Sequence, residues 1–200
     1  MCATIPVYFV YVAVAGRAGG SRLGAIIAGA LAALGAFALA ITLIGLLPLT
    51  RVTAVPFAAL VCFVGARLVR GWPDTAPLVR VRPSLGLLMV RAGVSAGMVI
   101  TITAVAQVLG PKWSGLVAGF PVNGLPVMAI LHFHYGTRTI EPMAKLWPSG
   151  AFGICLFNLA AWVALPRVGL IGSLLASYAV TVAYLLTLNW AWLVRRRAPR

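Results

Sequence analysis

GPKWSGLVAGFPVNGLPVMAILHFHYG, residues 110–136, is the most informative segment of the sequence. It is apolar over a membrane-spanning length, yet Pro121, Asn123, Gly124 and Pro126 interrupt it. A proline in a helix forfeits one backbone N–H and frees a carbonyl, and in lipid those groups must be satisfied by neighbouring helices, side chains or water. We therefore expect this stretch to form a broken helix inside a bundle.

The composition of the whole chain predicts an integral membrane protein with an all-α fold. Of its 200 residues 62% are hydrophobic and 9% are charged, which lies far from the make-up of a soluble globular domain. Apolar runs recur to the C-terminus, so a signal peptide does not account for them. We expect residues 1–200 to form one integral membrane domain, which the polar loop 71–84 would divide into halves 1–85 and 86–200.

The charge pattern predicts that the lipid bilayer is a partner of this chain. Sixteen Lys and Arg oppose only Asp74 and Glu141, and nearly all lie between apolar runs, as topology determinants do. They can also attract anionic headgroups. No groove of basic and aromatic residues and no soluble reading domain is present, so no nucleic-acid partner is predicted. Three isolated cysteines, Cys2, Cys62 and Cys155, lack metal-binding or redox spacing and are typical of packing residues. We predict neither a metal nor a cofactor.

Seven apolar runs predict a polytopic transmembrane bundle of about seven spans. The runs are 1–15, 23–47, 52–66, 87–109, 110–136, 146–165 and 168–194. Counted in the connections and at the span ends, Lys and Arg number thirteen on one side and three on the other. By the positive-inside rule the first side faces the cytoplasm, which predicts an external N-terminus and a cytoplasmic C-terminus.

Two runs carry small side chains on one helical face, a pattern that lets another helix approach closely. On the second run small residues recur at every fourth position, namely Gly24, Ala28, Ala32, Ala36 and Ala40. On the seventh run they are Gly169, Ser173, Ser177 and Thr181. We expect both faces to pack against other helices.

A shift of 120 residues suggests an internal repeat. It places TIPVYFVYVAVAG, residues 4–16, over GLPVMAILHFHYG, residues 124–136, with Pro6 on Pro126 and Gly16 on Gly136. The same shift superposes a helix containing proline, an arginine-bearing loop and a long helix. Four spans per period give both halves one orientation, hence a degenerate parallel repeat of four-span units. On this interpretation the first half lacks its opening helix and the start of its second, and we expect Met1 to be a truncated or misassigned start.

The segment GPKWSGLVAGFPVNGLPVMAILHFHYGTRTIEPMAKL resembles the small GlpM-like inner-membrane proteins and related uncharacterised families. The matching pattern consists of Ser114, Gly115, Leu116, Phe120, Pro121, His132 and Gly136. The resemblance covers about residues 87–192 and implies a bacterial cytoplasmic-membrane protein of about four spans, linked in some bacteria to exopolysaccharide production. It implies no catalytic residues. This chain departs from the family by its additional N-terminal half.

The interruption in the fifth run is the candidate substrate site. Asn123 would bind a substrate or ion in a central cavity, or it would bond the backbone groups freed by Pro121 and Pro126. Gly124 completes the interruption. Arg91, near the start of the fourth run, would neutralise an anionic substrate or extend to the interface as a snorkelling side chain.

The two histidines stand two residues apart, which on a helix turns their rings about 200° from each other. His132 and His134 therefore do not predict a shared metal ion. A histidine there would either relay protons or be solvated at the interface. The other polar residues within spans, Gln107, Asn158 and Asn189, predict hydrogen bonds between helices.

Three functions follow from these residues. No Asp or Glu lies within a predicted span and no nucleophile set, phosphate loop or metal cluster occurs, so an enzyme is not the first expectation. The leading hypothesis is a permease or transport-accessory protein whose broken helix lines a polar site. The alternative is a structural or assembly subunit that packs against another membrane protein or another copy. A membrane enzyme acting on lipid or polyprenyl substrates would need His132, His134 and Glu141 to converge.

Overall fold

The computed structural model describes residues 2–73, 85–122 and 124–197, and these residues are all-helical, without a strand. The helices are α1 (Thr4–Arg17), α2 (Arg22–Leu46), α3 (Arg51–Leu68), α4 (Leu85–Val117), α5 (Gly124–Tyr135) and α6 (Thr137–Arg197). Gly110, at φ 79°, divides α4 into two segments, and Gly169, at φ 68°, divides α6. Because only glycine adopts this left-handed conformation readily, these two positions set where the long apolar runs turn.

Local capping explains where α2 and α3 begin. The Ser21 side chain accepts a hydrogen bond from the Gly24 N–H at 3.1 Å. Thr50 and Thr53 form a reciprocal capping box at the start of α3. These side chains satisfy N–H groups that have no partner within a first helical turn. At the other end of α3, the Lys145 ammonium donates to the carbonyl oxygens of Arg70 and Trp72.

Within the described residues, two helices are long and apolar enough to cross a membrane: Arg22–Leu46, and Thr137–Trp190 within α6. The helices Thr4–Arg17 and Val52–Leu68 are apolar but shorter. Large side chains such as Leu31 on α2 and Ile171 on α6 are exposed. Such surfaces suit lipid better than water. The all-helical class is therefore confirmed, and two helices fit a bilayer by length and composition.

The chain forms two compact units, Met1–Pro148 and Ser149–Arg200. In the first unit α1 packs along α2, α2 also contacts α4 and α5, and α4 contacts α5. The apolar core cluster of this unit has fully buried side chains from α1, α2, α5 and the start of α6: Val7, Tyr8, Tyr11, Ala33, Met128, Ile140 and Ala144. The loop predicted to divide two halves lies outside the described residues from 74 to 84.

The face that α2 presents to α1 lies one residue away from the predicted one. Gly24 is exposed and Ala32 is half-buried, whereas the buried positions are Ala25, Gly29, Ala33 and Phe37. A Cβ added at Gly29 would lie 3.1 Å from the Ala15 Cβ. Both rows contain small residues at three or more successive fourth positions, and Phe37 ends that series in the buried row, so the sequence period alone did not select between them. Contact with α1 selects the row that contains Gly29 and Ala33.

The second unit is a helical hairpin made by the two segments of α6. The rings of Phe157 and Tyr178 lie 5.2 Å apart between centroids, and the Tyr184 hydroxyl donates to the Ser149 carbonyl at 3.0 Å. The predicted small-residue face lies partly in this contact, because Ser173 and Ser177 are buried. Their hydroxyls bond carbonyls of their own helix, at 2.8 Å to Leu170 and 2.7 Å to Ser173, which satisfies them in an apolar contact.

The predicted hydrogen bond from Asn158 to another helix is wrong. Its side-chain amide donates to the Ile154 carbonyl, one turn earlier in its own helix, at 2.8 Å, and the side chain is exposed. The reason is that an outward-facing amide finds its nearest acceptor on its own backbone. Gln107 and Asn189 are also exposed.

The helix bounds can be compared with the predicted 120-residue repeat. Adding 120 to the bounds of α1, 4–17, gives 124–137, next to α5 at Gly124–Tyr135. Adding it to α2, 22–46, gives 142–166 in the first segment of α6, and to α3, 51–68, gives 171–188 in the second. The two sequence regions thus share an order of helices, and the repeat itself stays a prediction.

Candidate functional site

The broken helix predicted at 110–136 is a break between α4 and α5. After Val117 the chain makes turns, with the Phe120 N–H donating to the Val117 carbonyl at 2.9 Å and the Val122 N–H to the Phe120 carbonyl at 2.8 Å. Local turns therefore take up backbone groups that a membrane-depth break would leave without partners. Asn123, the residue predicted to bind a substrate or ion, lies outside the described residues.

The two prolines around Asn123 help to begin a helix. The Pro121 carbonyl accepts from the N–H groups of Gly124 and Leu125 at 3.1 and 3.2 Å. Pro126 is the third residue of α5, in the first turn, where an N–H has no acceptor within the helix. The helix therefore loses no bond there. Pro121, Gly124 and Pro126 are all buried.

A row of hydroxyl side chains on α1 packs against α5 and the beginning of α6, and it is not among the site residues predicted from the sequence. Thr4, Tyr8 and Tyr11 follow the spacing i, i+4, i+7, which places them on one face of a helix. All three are buried, although the rest of α1 is mostly apolar. Three hydroxyls at helical spacing in an apolar run was the signal that could have found them.

Tyr8 reaches the first residue of α5. A Cβ added at Gly124 would lie 1.5 Å from the Tyr8 hydroxyl oxygen, so the hydroxyl occupies the space that a side chain would need. The Tyr8 ring also packs against the Trp147 ring, with centroids 4.1 Å apart. Tyr8 is fully buried, and within 2–73, 85–122 and 124–197 its hydroxyl has no hydrogen-bond partner.

Trp147 contacts Thr4, the first residue of the hydroxyl row on α1. Its indole N–H donates to the Thr4 hydroxyl at 2.7 Å. The sequence alone suggests an interfacial tryptophan at this position, near a span end. The structure instead gives the indole an intramolecular partner on α1, so the ring holds α1 against the beginning of α6.

His132 pairs with the third hydroxyl. The Tyr11 hydroxyl and the His132 Nδ1 are hydrogen-bonded at 3.2 Å, and both side chains are buried. His134 is exposed, with its ring edge-on to Phe133 at 5.4 Å between centroids. The two histidines therefore have different surroundings, as their spacing predicts. Among the described residues no three His, Cys, Asp or Glu side chains come together to hold a metal ion, His132, His134 and Glu141 included.

Four of the six predicted site residues are buried in the short segment from the break to the end of α5. They are Pro121, Gly124, Pro126 and His132. Arg91 lies on α4, and the position of its side chain lies outside the described part of the structure. Phe120 adds an aromatic contact from the break to α2, with its ring edge-on to Phe37 at 5.0 Å.

The described site consists of uncharged side chains, with the Arg22 guanidinium bonded nearby to the Phe133 carbonyl, next to His132. It offers hydroxyls, one imidazole, one indole and aromatic rings, which can exchange hydrogen bonds and stack but bring no carboxylate or ammonium. Such groups suit recognition of a polar, uncharged chemical group more than acid–base chemistry on a carboxylate pair. No protein-family model matches this chain, and neither a curated protein nor a solved structure is significantly similar to it.

Proposed function

We propose that this chain is a multi-pass protein of the bacterial cytoplasmic membrane and acts as a permease or transport-accessory protein. The break before α5 and the hydroxyl face of α1 together line its polar site. The seven spans, the external N-terminus, the cytoplasmic C-terminus and the GlpM-like resemblance belong to this proposal. The exposed leucines of α2 and α6 support a lipid environment.

The observation that carries the proposal is the Tyr8 hydroxyl. A buried polar group without a partner costs about 1–3 kcal/mol. Groups kept at such a cost are rare in folded proteins and concentrate where function needs them. Here the hydroxyl lies against the first residue of α5, at a break within an apolar run. A transport site at membrane depth uses the same arrangement of interrupted helix and polar side chains.

Cysteine accessibility tests whether the break lines a water-filled path. In a chain with Cys2, Cys62 and Cys155 replaced by alanine, Val122→Cys would be treated with a membrane-impermeant thiosulfonate reagent. The expected result is labelling of Val122→Cys in intact membranes. Protection of Val122→Cys from the reagent on both sides of the membrane would contradict a polar path.

Two control positions calibrate the labelling. Gly19 is exposed in the α1–α2 loop, so Gly19→Cys should label fully from one side of the membrane. Ala33 is fully buried between α1 and α2, so Ala33→Cys should stay unlabelled. Labelling of Ala33→Cys would show that the reagent reaches unfolded protein, and the Val122→Cys result would then count against the proposal.

The second candidate is an assembly subunit, and one observation favours it. The row Ala28, Ala32, Ala36 and Ala40 is only half-buried, because α1 covers the neighbouring row. A small-residue row left partly open can accept a helix of another membrane protein or of a second copy. Ala32→Leu and Ala36→Leu should then abolish a complex seen by size-exclusion chromatography in detergent. A complex that survives both substitutions would contradict this function.

Reporter fusions test the proposed orientation. A fluorescent protein that folds only in the cytoplasm should fluoresce when it is fused to the C-terminus. Alkaline phosphatase, which is active outside the cytoplasm, should be active when it is fused to the N-terminus. Two termini on one face of the membrane would exclude an odd number of spans.

A further inference from the structure

The end of α1, the start of α2 and the junction of α5 with α6 meet at one end of the first unit. The Arg22 guanidinium donates to the Phe133 carbonyl at 2.9 Å, which joins the start of α2 to the last turn of α5. A Cβ added at Gly16 would lie 3.7 Å from the Thr137 methyl group, which places the end of α1 beside the start of α6. The two helix junctions are therefore neighbours in space.

This end carries positive charge on exposed side chains. Arg17, Arg22 and Arg138 are all exposed. Arg17 uses one nitrogen to bond the Ala13 carbonyl at 3.0 Å, and Arg22 uses one for its bond to α5. A guanidinium has five N–H donors in a fork that matches phosphate oxygens, so donors remain on each arginine. Glu141, one turn into α6, is the only acidic residue of the chain besides Asp74.

The depth of this cluster follows from the helices that begin there. Both membrane-length helices start at this end, one at Arg22 and the other at Thr137. The apolar surface of α2 begins directly after Arg22, so Arg22 lies where a hydrocarbon layer would end and headgroups would begin. Directly after Arg22, the side chains of Leu23 and Ile27 are exposed on α2. The exposed arginines match the phosphate of a phospholipid headgroup, and the adjacent apolar side chains match its acyl chain.

We propose that Arg17, Arg22 and Arg138 bind the phosphate of an anionic phospholipid whose acyl chain runs along Leu23 and Ile27. Arginine pairs with phosphate through parallel charge-assisted hydrogen bonds, which are stronger than neutral ones. A free phosphate has nothing to place against the two apolar side chains, so the lipid is the occupant that uses the whole surface. The site rests on the membrane assignment proposed above and does not depend on transport.

Native mass spectrometry of the detergent-purified chain tests this site, with phosphatidylglycerol and phosphatidylcholine as the lipids. Arg17→Gln should weaken phosphatidylglycerol binding about fivefold, the effect of one cationic side chain near a charged headgroup. Arg17→Gln with Arg138→Gln should weaken it further and leave the Arg22 bond to Phe133 in place. Phosphatidylcholine binding should change little in either variant.

Arg167→Gln is the matched control. Arg167 is exposed, and like Arg17 it bonds a carbonyl one turn earlier in its own helix, that of Val163. The Arg167→Gln variant should leave phosphatidylglycerol binding unchanged. Equal weakening by Arg17→Gln and Arg167→Gln would overturn the site, since only total charge would then matter.

Two other outcomes would also overturn the proposal, each for a separate reason. If soluble glycerol phosphate at millimolar concentration displaced phosphatidylglycerol, the site would take a free anion and not a lipid. If the chain stayed in solution without detergent and bound neither lipid, the membrane assignment itself would be wrong. Labelling of Val122→Cys reports on transport alone and leaves the lipid result standing.

Discussion

Tyr8 and Gly124 are packed so closely that the tyrosine hydroxyl oxygen lies 1.5 Å from the position of a Cβ at residue 124. This contact joins α1 to the first turn of α5 across 116 residues of chain. It explains why the residue that begins α5 is a glycine, because any side chain there would collide with the hydroxyl. It also leaves that hydroxyl buried without a partner in the described structure.

Gly124→Ala should therefore lower stability by about 1–3 kcal/mol, the usual range for overpacking a buried contact. Thermal unfolding in detergent measures this change. Gly35→Ala is the control, since nothing lies within 4 Å of its Cβ position on α2 and alanine is the better helix former. Adding Tyr8→Phe to Gly124→Ala should recover part of the loss. No recovery would mean that the collision is not with the hydroxyl.

Tyr8→Phe and Tyr11→Phe should differ in their effect on stability, and only Tyr11→Phe should lower it. Tyr8→Phe removes a buried hydroxyl that has no partner among the described residues, so stability should stay the same or rise by about 1 kcal/mol. Tyr11→Phe leaves the buried His132 Nδ1 without its partner, so stability should fall by about 1–2 kcal/mol. Unfolding midpoints of the two variants provide the comparison. A clear destabilisation by Tyr8→Phe would show that its hydroxyl is bonded in the folded protein.

Thr4 and Trp147 should behave as an energetically coupled pair. Thr4→Val and Trp147→Phe each remove one side of the 2.7 Å hydrogen bond and keep most of the apolar volume. A double-mutant cycle should therefore give a coupling energy of about 1 kcal/mol. The same substitutions combined with Thr42→Val, whose hydroxyl bonds its own helix at Ala38, should be additive. Additivity of Thr4→Val with Trp147→Phe would contradict the bond.

The register of α2 against α1 predicts a difference between adjacent alanines. Ala33→Leu places a large side chain in the fully buried row and should destabilise the fold by about 1–3 kcal/mol. Ala32→Leu lies in the half-buried row and should be tolerated by the monomer. Folded yield and unfolding temperature in detergent distinguish the two. If Ala32→Leu were the more damaging variant, the predicted ridge at every fourth residue from Gly24 would be the true contact.

Much of the candidate site was visible in the sequence, but its partners were not. The prolines, Gly124 and His132 could be named because a polar or helix-breaking residue in an apolar run is conspicuous. Tyr8, Tyr11 and Thr4 were missed because a tyrosine or threonine in such a run is ordinary. Only the packing of α1 against α5 turned an unremarkable helix face into part of the site.

The helical class, the apolar runs and the break at Pro121 could be predicted from the amino-acid sequence, because hydrophobic length and backbone chemistry are local properties. Tertiary structure alone decided which row of α2 is buried, which hydroxyl meets Gly124 and which nitrogen meets Thr4. Those outcomes depend on contacts between different helices, two of which join residues more than a hundred positions apart, and no local pattern in the sequence specifies such contacts.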